Sequence, residues 1–308
     1  MKNSISYPYE CGLPDVIYQA GLDGQLVLFI GAGASRRVGL PDWNGLAARV
    51  LEDLRENSLL NYAAIDQLKC LDAKKQLSIA YDVADQNGHA ISLWKLLGDP
   101  SGDSQIYYDL NKIGCTCVTT NYDELLEPTV VGGSGNTTAQ KPTRIVGVDN
   151  LMARHLDVPG SVIHIHGAVS DHESIVATTK SYLEHYDHEN TQEFLKQLFT
   201  RKVVLFIGYG LEEAEILEHI LRRGDARSTG ELKRFALQGF FKEQATLFES
   251  LQRYYANSFG VELIGFARDE DDYAALDKVV NTWSSKLQIN APALVEDFAI
   301  MDEVLADE

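Results

Sequence analysis

Leu26-Val27-Leu28-Phe29-Ile30-Gly31-Ala32-Gly33-Ala34-Ser35 has a near copy far downstream, Val204-Leu205-Phe206-Ile207-Gly208-Tyr209-Gly210. Each is a short apolar run with β-branched members that stops at Gly-x-Gly. Apolar residues at every position, rather than every second one, suit a strand buried on both faces of a parallel sheet. A Gly-x-Gly at the carboxyl end of such a strand lets backbone N–H groups approach a phosphate, because no Cβ stands in the way. Between the copies, Thr119-Thr120-Asn121-Tyr122-Asp123 and Ile163-His164-Ile165-His166-Gly167 also close apolar β-like runs with polar residues. Several polar loops at strand carboxyl ends make a crevice of the kind in which open α/β sheets bind nucleotides. The expected fold class is α/β, with a doubly wound parallel sheet.

The rest of the chain fits strands alternating with helices. A short helix is expected over 14–20 and a loop over 36–42. Trp43, Leu46, Ala47, Val50, Leu51 and Leu54 then fall on one helical stripe. From 58 to 112 the text stays helical with no strand, too long for one crossover helix, so it reads as an inserted helical subdomain. Further strands are expected over 115–119, 144–146, 162–165, 202–207, 234–237 and 261–264. Helices are expected over 180–186, 192–199, 212–222, 243–255 and 271–287. Residues 131–142 are rich in Gly, Ser, Asn and Thr and read as a mobile loop. An acidic segment over 292–308 carries an apolar stripe of Leu294, Val295, Phe298, Met301 and Leu305. All 308 residues are expected to form one domain around the sheet.

Composition removes several function classes. The formal charge of −18 argues against a broad nucleic-acid footprint, which needs clustered Lys and Arg. No apolar run approaches membrane-spanning length, and the N-terminus has no signal-peptide pattern. Cys11, Cys70, Cys115 and Cys117 include no Cys-x-x-Cys pair and read as free thiols in a reducing compartment. The expectation is a cytoplasmic, soluble protein that binds neither nucleic acid nor membrane directly. His185 and His188 have no clustered partners and read as solvated loop histidines, and no metal is expected.

Gly31-Ala32-Gly33-Ala34-Ser35, Gly39-Leu40-Pro41-Asp42-Trp43, Thr119-Thr120-Asn121-Tyr122-Asp123 and His166-Gly167, in that order, resemble the sirtuin fingerprints. The wording is most similar to the sirtuin-like NAD-hydrolase branch of prokaryotic anti-phage defence systems. The resemblance implies a Rossmann-like sheet with NAD as substrate. It departs from sirtuin deacylases at several points. Their zinc module needs two Cys-x-x-Cys pairs, which are missing here; Thr120 stands where they carry Gln, Tyr122 where they carry Ile, and Asn44 follows Trp43 where they place Arg after Phe. These departures speak against the deacylases' protein-substrate groove and are compatible with an NAD pocket.

By that resemblance Ser35 and the amides of Gly31, Ala32 and Gly33 would cradle the pyrophosphate, with Asp42 and Asp123 near the nicotinamide end. Gly208, Tyr209 and Gly210 would approach the adenosine side, and Glu212 would accept from ribose hydroxyls. Asn121 would position a water, since its amide both donates and accepts; the bland alternative is a helix N-cap. His166 would act as general base, its reference pKa of ~6.5 suiting that work; the alternative is a strand-end histidine satisfied by backbone. The alternative for the two aspartates is turn and cap carboxylates, and Glu212 equally suits a helix N-terminus. The implied function is an NAD+ glycohydrolase releasing nicotinamide and ADP-ribose, the effector of a defence system that depletes NAD+. The alternatives are an NAD-dependent protein deacylase and an NAD-binding scaffold or sensor. A homo-oligomer is expected, with a HerA-type ATPase or an Argonaute protein as partner.

Overall fold

The computed structural model describes residues 11–102, 105–130, 141–211, 216 and 234–287. The loop over 131–142 and the helix over 212–222 fall largely outside these residues, and the segment 292–308 falls wholly outside them.

Seven strands form one all-parallel sheet: β1 (Leu26–Ile30), β2 (Thr116–Thr119), β3 (Arg144–Val146), β4 (Val162–His164), β5 (Val203–Ile207), β6 (Arg234–Phe240) and β7 (Glu262–Ala267). Their spatial order is β3-β4-β2-β1-β5-β6-β7. From β1 the chain adds β2, the edge strand β3 and then β4 between them on one side, and returns to add β5, β6 and β7 outward on the other. The carboxyl ends of β1 and β5 therefore lie at the point where the winding reverses, the usual crevice of such sheets.

All five side chains of β1 are buried, and their alternation divides them between two cores. Leu26, Leu28 and Ile30 face one layer, Val27 and Phe29 the other. This explains the unbroken apolar run: neither face meets water, so each side chain contributes about 1.5–3 kcal/mol of burial. The first layer holds α1 (Asp15–Leu22), α2 (Ala32–Arg37), α3 (Trp43–Glu56), α4 (Tyr62–Leu68), α5 (Ala73–Gln86), α6 (Leu93–Leu97) and α7 (Gln105–Ile113). On the second, α8 (Thr179–Asp187) and α9 (Glu189–Arg201) pack with α10 (Ala245–Phe259), while α11 (Ala274–Leu287) returns to the first. The helical text of 58–112 appears as α4 to α7. Their Ile65, Leu77, Leu93, Ile106 and Leu110 join the core that also takes β1 and α3.

Two expectations and one alternative reading change. Residues Ala32–Arg37 are helical, so the expected glycine loop and the start of the 36–42 loop are instead one short helix. Gly31 sits extended at its N-cap (φ −110°), and the Ala, Ser and Arg that follow are adequate helix formers. Asn121 caps no helix, since residues 120–130 are irregular. His185 is buried on α8 rather than solvated in a loop, and His188 caps α9 by accepting from the Asn190 N–H at 3.2 Å. Among the described residues no helix is long and apolar enough to cross a membrane, and no group of His, Cys, Asp and Glu is placed to hold a metal.

Candidate active site

The two glycine turns meet each other. Gly31 N–H donates to the Ile207 carbonyl at 3.0 Å, and Gly33 N–H donates to that of Gly208 at 2.7 Å. A Cβ on Gly33 would lie 2.7 Å from Gly208 Cα and O; one on Gly31 would lie 2.7 Å from Gly208 O and Tyr209 Cα. Gly208 itself adopts φ +63°, a conformation that favours glycine. The glycines are therefore required for close approach of one strand end to the other. This corrects the expectation that Gly31 and Gly33 turn their amides to phosphate. Ala32 lies between them on the cleft, and its N–H donates to no acceptor among the described residues. Tyr209 packs in the core, its ring 5.0 Å from Phe29 and 5.5 Å from Phe206, so its side chain is not directed at an adenosine. Gly210 is exposed beside it, and Glu212 lies outside the described residues.

At the end of β2 the backbone turns on a buried threonine. Thr119 Oγ1 donates to the Ile30 carbonyl at 2.9 Å and accepts from the Asn121 N–H at 3.0 Å. The turn delivers Asn121 to a buried network. Its Nδ2 donates to the Gly31 carbonyl at 3.1 Å and to Ser35 Oγ at 2.9 Å. Ser35 Oγ in turn donates to Asp123 Oδ2 at 2.6 Å. Because a backbone carbonyl can only accept, the amide's orientation is fixed, and both its N–H bonds are engaged. Among the described residues Oδ1 has no donor, which leaves it as the open acceptor of a residue that lines the cleft. Ser35 and Asp123 thus act first as supports of Asn121.

His166 lies two residues beyond β4, and only 2% of its surface is exposed. Its Nε2 is 2.8 Å from the Tyr186 hydroxyl and its Nδ1 3.3 Å from that of Tyr182, both on α8. Burial, with His185 and Lys74 adding repulsion, holds its pKa well below the usual imidazole range. The ring is neutral and its nitrogens engaged, which corrects the expectation of a base titrating near neutrality. His164 sits under the turn instead: its Nδ1 donates to the Asn121 carbonyl at 3.1 Å, and burial lowers its pKa too.

These pieces enclose an open cleft lined by Trp43, Tyr122 and Tyr182 and, deeper, by Ala32, Asn121 and His166. The Trp43 ring stands 5.8 Å from Tyr122 and 6.3 Å from Tyr182. Tyr122 donates its hydroxyl to the Val176 carbonyl at 2.6 Å, so its ring is fixed as wall. Asp42 lines the mouth while capping α3, accepting from the Gly45 N–H at 2.8 Å, with Arg36 at 3.5 Å. Arg37 is bound to Asp277 at 3.0 Å. The cleft therefore gathers residues of all four motifs, although Gly208, Tyr209 and Gly210 do not line it. Tyr182 and Tyr186 carried no motif; their i, i+4 spacing on α8 was the available signal. A larger groove, lined by Tyr81, Asp85, His89 and His172 among others, receives none of the expected site residues.

Residues 116–264 match the family model described as a SIR2-like domain. The matched span contains Asn121, Asp123 and His166 and leaves out the first glycine turn. It supports a sirtuin-like assignment and an NAD-related enzymatic function. Among curated proteins none matches the chain.

Proposed function

We propose that the chain is an NAD+ glycohydrolase, cleaving NAD+ to nicotinamide and ADP-ribose. The observation that carries this reading is the Asn121 amide, whose N–H bonds are both engaged internally while Oδ1 is open to the cleft. An acceptor held in that way can orient a water by one of its O–H bonds. In NAD+ the ribose C1′ is bonded to a cationic pyridinium nitrogen. When that bond breaks, the electron pair goes to nitrogen and nicotinamide leaves neutral, so no general acid is needed. The transition state is oxocarbenium-like. The water oxygen bonds to C1′, and the proton it loses passes to solvent at the cleft mouth.

This chemistry suits a neutral His166. A strong base is unnecessary against so reactive an electrophile, and His166 instead orders the Tyr182 wall. The aromatic faces and the Asp42 carboxylate favour developing positive charge. The role of effector in anti-phage defence, acting by NAD+ depletion, belongs to the same proposal. So do a homo-oligomer and a HerA-type ATPase or Argonaute partner; light scattering tests the first of these.

Incubation of the purified chain with NAD+, followed by chromatography, tests the activity. Nicotinamide and ADP-ribose in equal amounts are expected. Intact NAD+ would overturn the reading, and turnover only with an acetyl-lysine peptide would replace it with deacylation.

A further inference from the structure

Tyr107 belongs to none of the four motifs. It stands on α7, in the helical stretch between β1 and β2, and is buried. Its hydroxyl lies 3.0 Å from Ser35 Oγ and 3.4 Å from Asp123 Oδ2. A serine hydroxyl has one proton and two lone pairs. Asp123 takes the proton at 2.6 Å, and the Asn121 amide fills one lone pair at 2.9 Å. Of the two acceptors within reach of the Tyr107 proton, Ser35 Oγ at 3.0 Å is nearer than Asp123 Oδ2 at 3.4 Å, so Tyr107 donates to the remaining lone pair and leaves Ser35 with every valence used.

We propose that Tyr107 is a positioning residue for the cleavage of NAD+: it locks Ser35 as the acceptor that faces Asn121, and so holds Asn121 Oδ1 toward the cleft. This inference rests on the hydrolase reading above. Without the tyrosine hydroxyl, Ser35 Oγ is free to turn away from Asn121 while keeping its bond to Asp123. Burial and the nearby Asp123 carboxylate raise the phenol's pKa well above its ordinary value, so the group acts as a donor throughout the useful pH range. The helix that carries it is tied down on its far side. Asp109, two residues on and so on the opposite face, accepts from Asn281 Nδ2 at 3.0 Å and from Ser284 Oγ at 3.4 Å, both on α11. The helical stretch is thereby part of the site, although it contributes no wall of aromatic or charged groups at this point.

Tyr107→Phe deletes the hydroxyl and keeps the ring that fills the core. In the full chain, kcat for NAD+ should fall roughly 3- to 10-fold, the worth of one neutral hydrogen bond. KM should stay within about twofold, as expected for a group acting on the transition state. In a Ser35→Ala background the same change should cost nothing further, because the effect runs through Ser35. A parent-like kcat, a rise in KM alone, or a full additional loss in that background would overturn the proposal. A second readout does not depend on turnover. The Asn121 side-chain amide signals, identified by their loss in Asn121→Ala, should shift in the proton–nitrogen spectrum of Tyr107→Phe; unmoved signals overturn the positioning. If the parent leaves NAD+ intact while those signals shift, the positioning stands and the hydrolase reading falls.

Discussion

Asn121→Asp changes one NH2 group to oxygen, and its consequences follow from two contacts. The Nδ2 that faces the Gly31 carbonyl at 3.1 Å and Ser35 Oγ at 2.9 Å becomes an oxygen facing an acceptor. The new carboxyl is also buried and shares Ser35 with Asp123. Burial and a like charge both disfavour its ionised form, raising its pKa above the ordinary carboxylate value of ~3.9. When protonated it keeps one donor of two, so it costs about 1 kcal/mol, one hydrogen bond. Its folded pKa lies above its unfolded one, so the unfolded chain loses the proton first. The penalty is therefore smallest below about pH 4, where both states are protonated, and grows as pH rises through the folded pKa. Asn121→Ala loses both bonds without the charge, and its penalty should be independent of pH. Urea unfolding of the parent and both variants at pH 4, 6 and 8 separates these patterns. Equal stability of Asn121→Asp and the parent at pH 8, or a penalty that does not grow with pH, would refute the amide orientation. Both variants should lose about 10²–10⁴ in NAD+ turnover.

Because His166 is already neutral well below pH 6.5, the pH profile of kcat should be free of a histidine inflection between about pH 5.5 and 8; an inflection near 6.5 that His166→Gln removes would contradict this. Burial, helped by His188, pushes the His185 imidazole down to about 4. Its folded pKa is below the unfolded value, so the stability it allows is full above ~6.5 and falls by about 3 kcal/mol toward pH 4. His185→Leu should flatten that acid slope in urea titrations, and an unchanged slope would count against it. Gly33→Ala would bring a Cβ to 2.7 Å from Gly208 backbone atoms and should cost about 1–3 kcal/mol, checked by thermal unfolding; a parent-like midpoint would show that the seam is loose.

Local pattern was legible wherever one physical constraint acts on one stretch. The doubly buried strands β1 and β5 and the α3 stripe could be read directly, because burial on known faces dictates apolar spacing. The four ordered motifs likewise anticipated which loops meet at the cleft. What could not be read were bonds between distant segments. The acceptors of the Gly31 and Gly33 amides lie on β5, and nothing near the first turn names them. Tyr107 looks in sequence like any apolar-face residue of an amphipathic helix; only the fold puts its hydroxyl beside Ser35. His185 reads as solvated because its cover comes from the His166 loop, and at 5.8 Å between rings that contact exists only in three dimensions.

The seam between Gly33 and Gly208 also sets a timetable for synthesis. The first turn has its final hydrogen-bond partners only after β5 has left the ribosome. At cellular elongation rates the stretch between them takes roughly 10–35 s to make. A nascent chain in that interval holds the Asn121 motif, and later His166, but lacks the strand against which the first turn is seated. Under the proposed activity the nascent chain would therefore be inert toward NAD+ until β5 has emerged, a delay that arises from strand order alone.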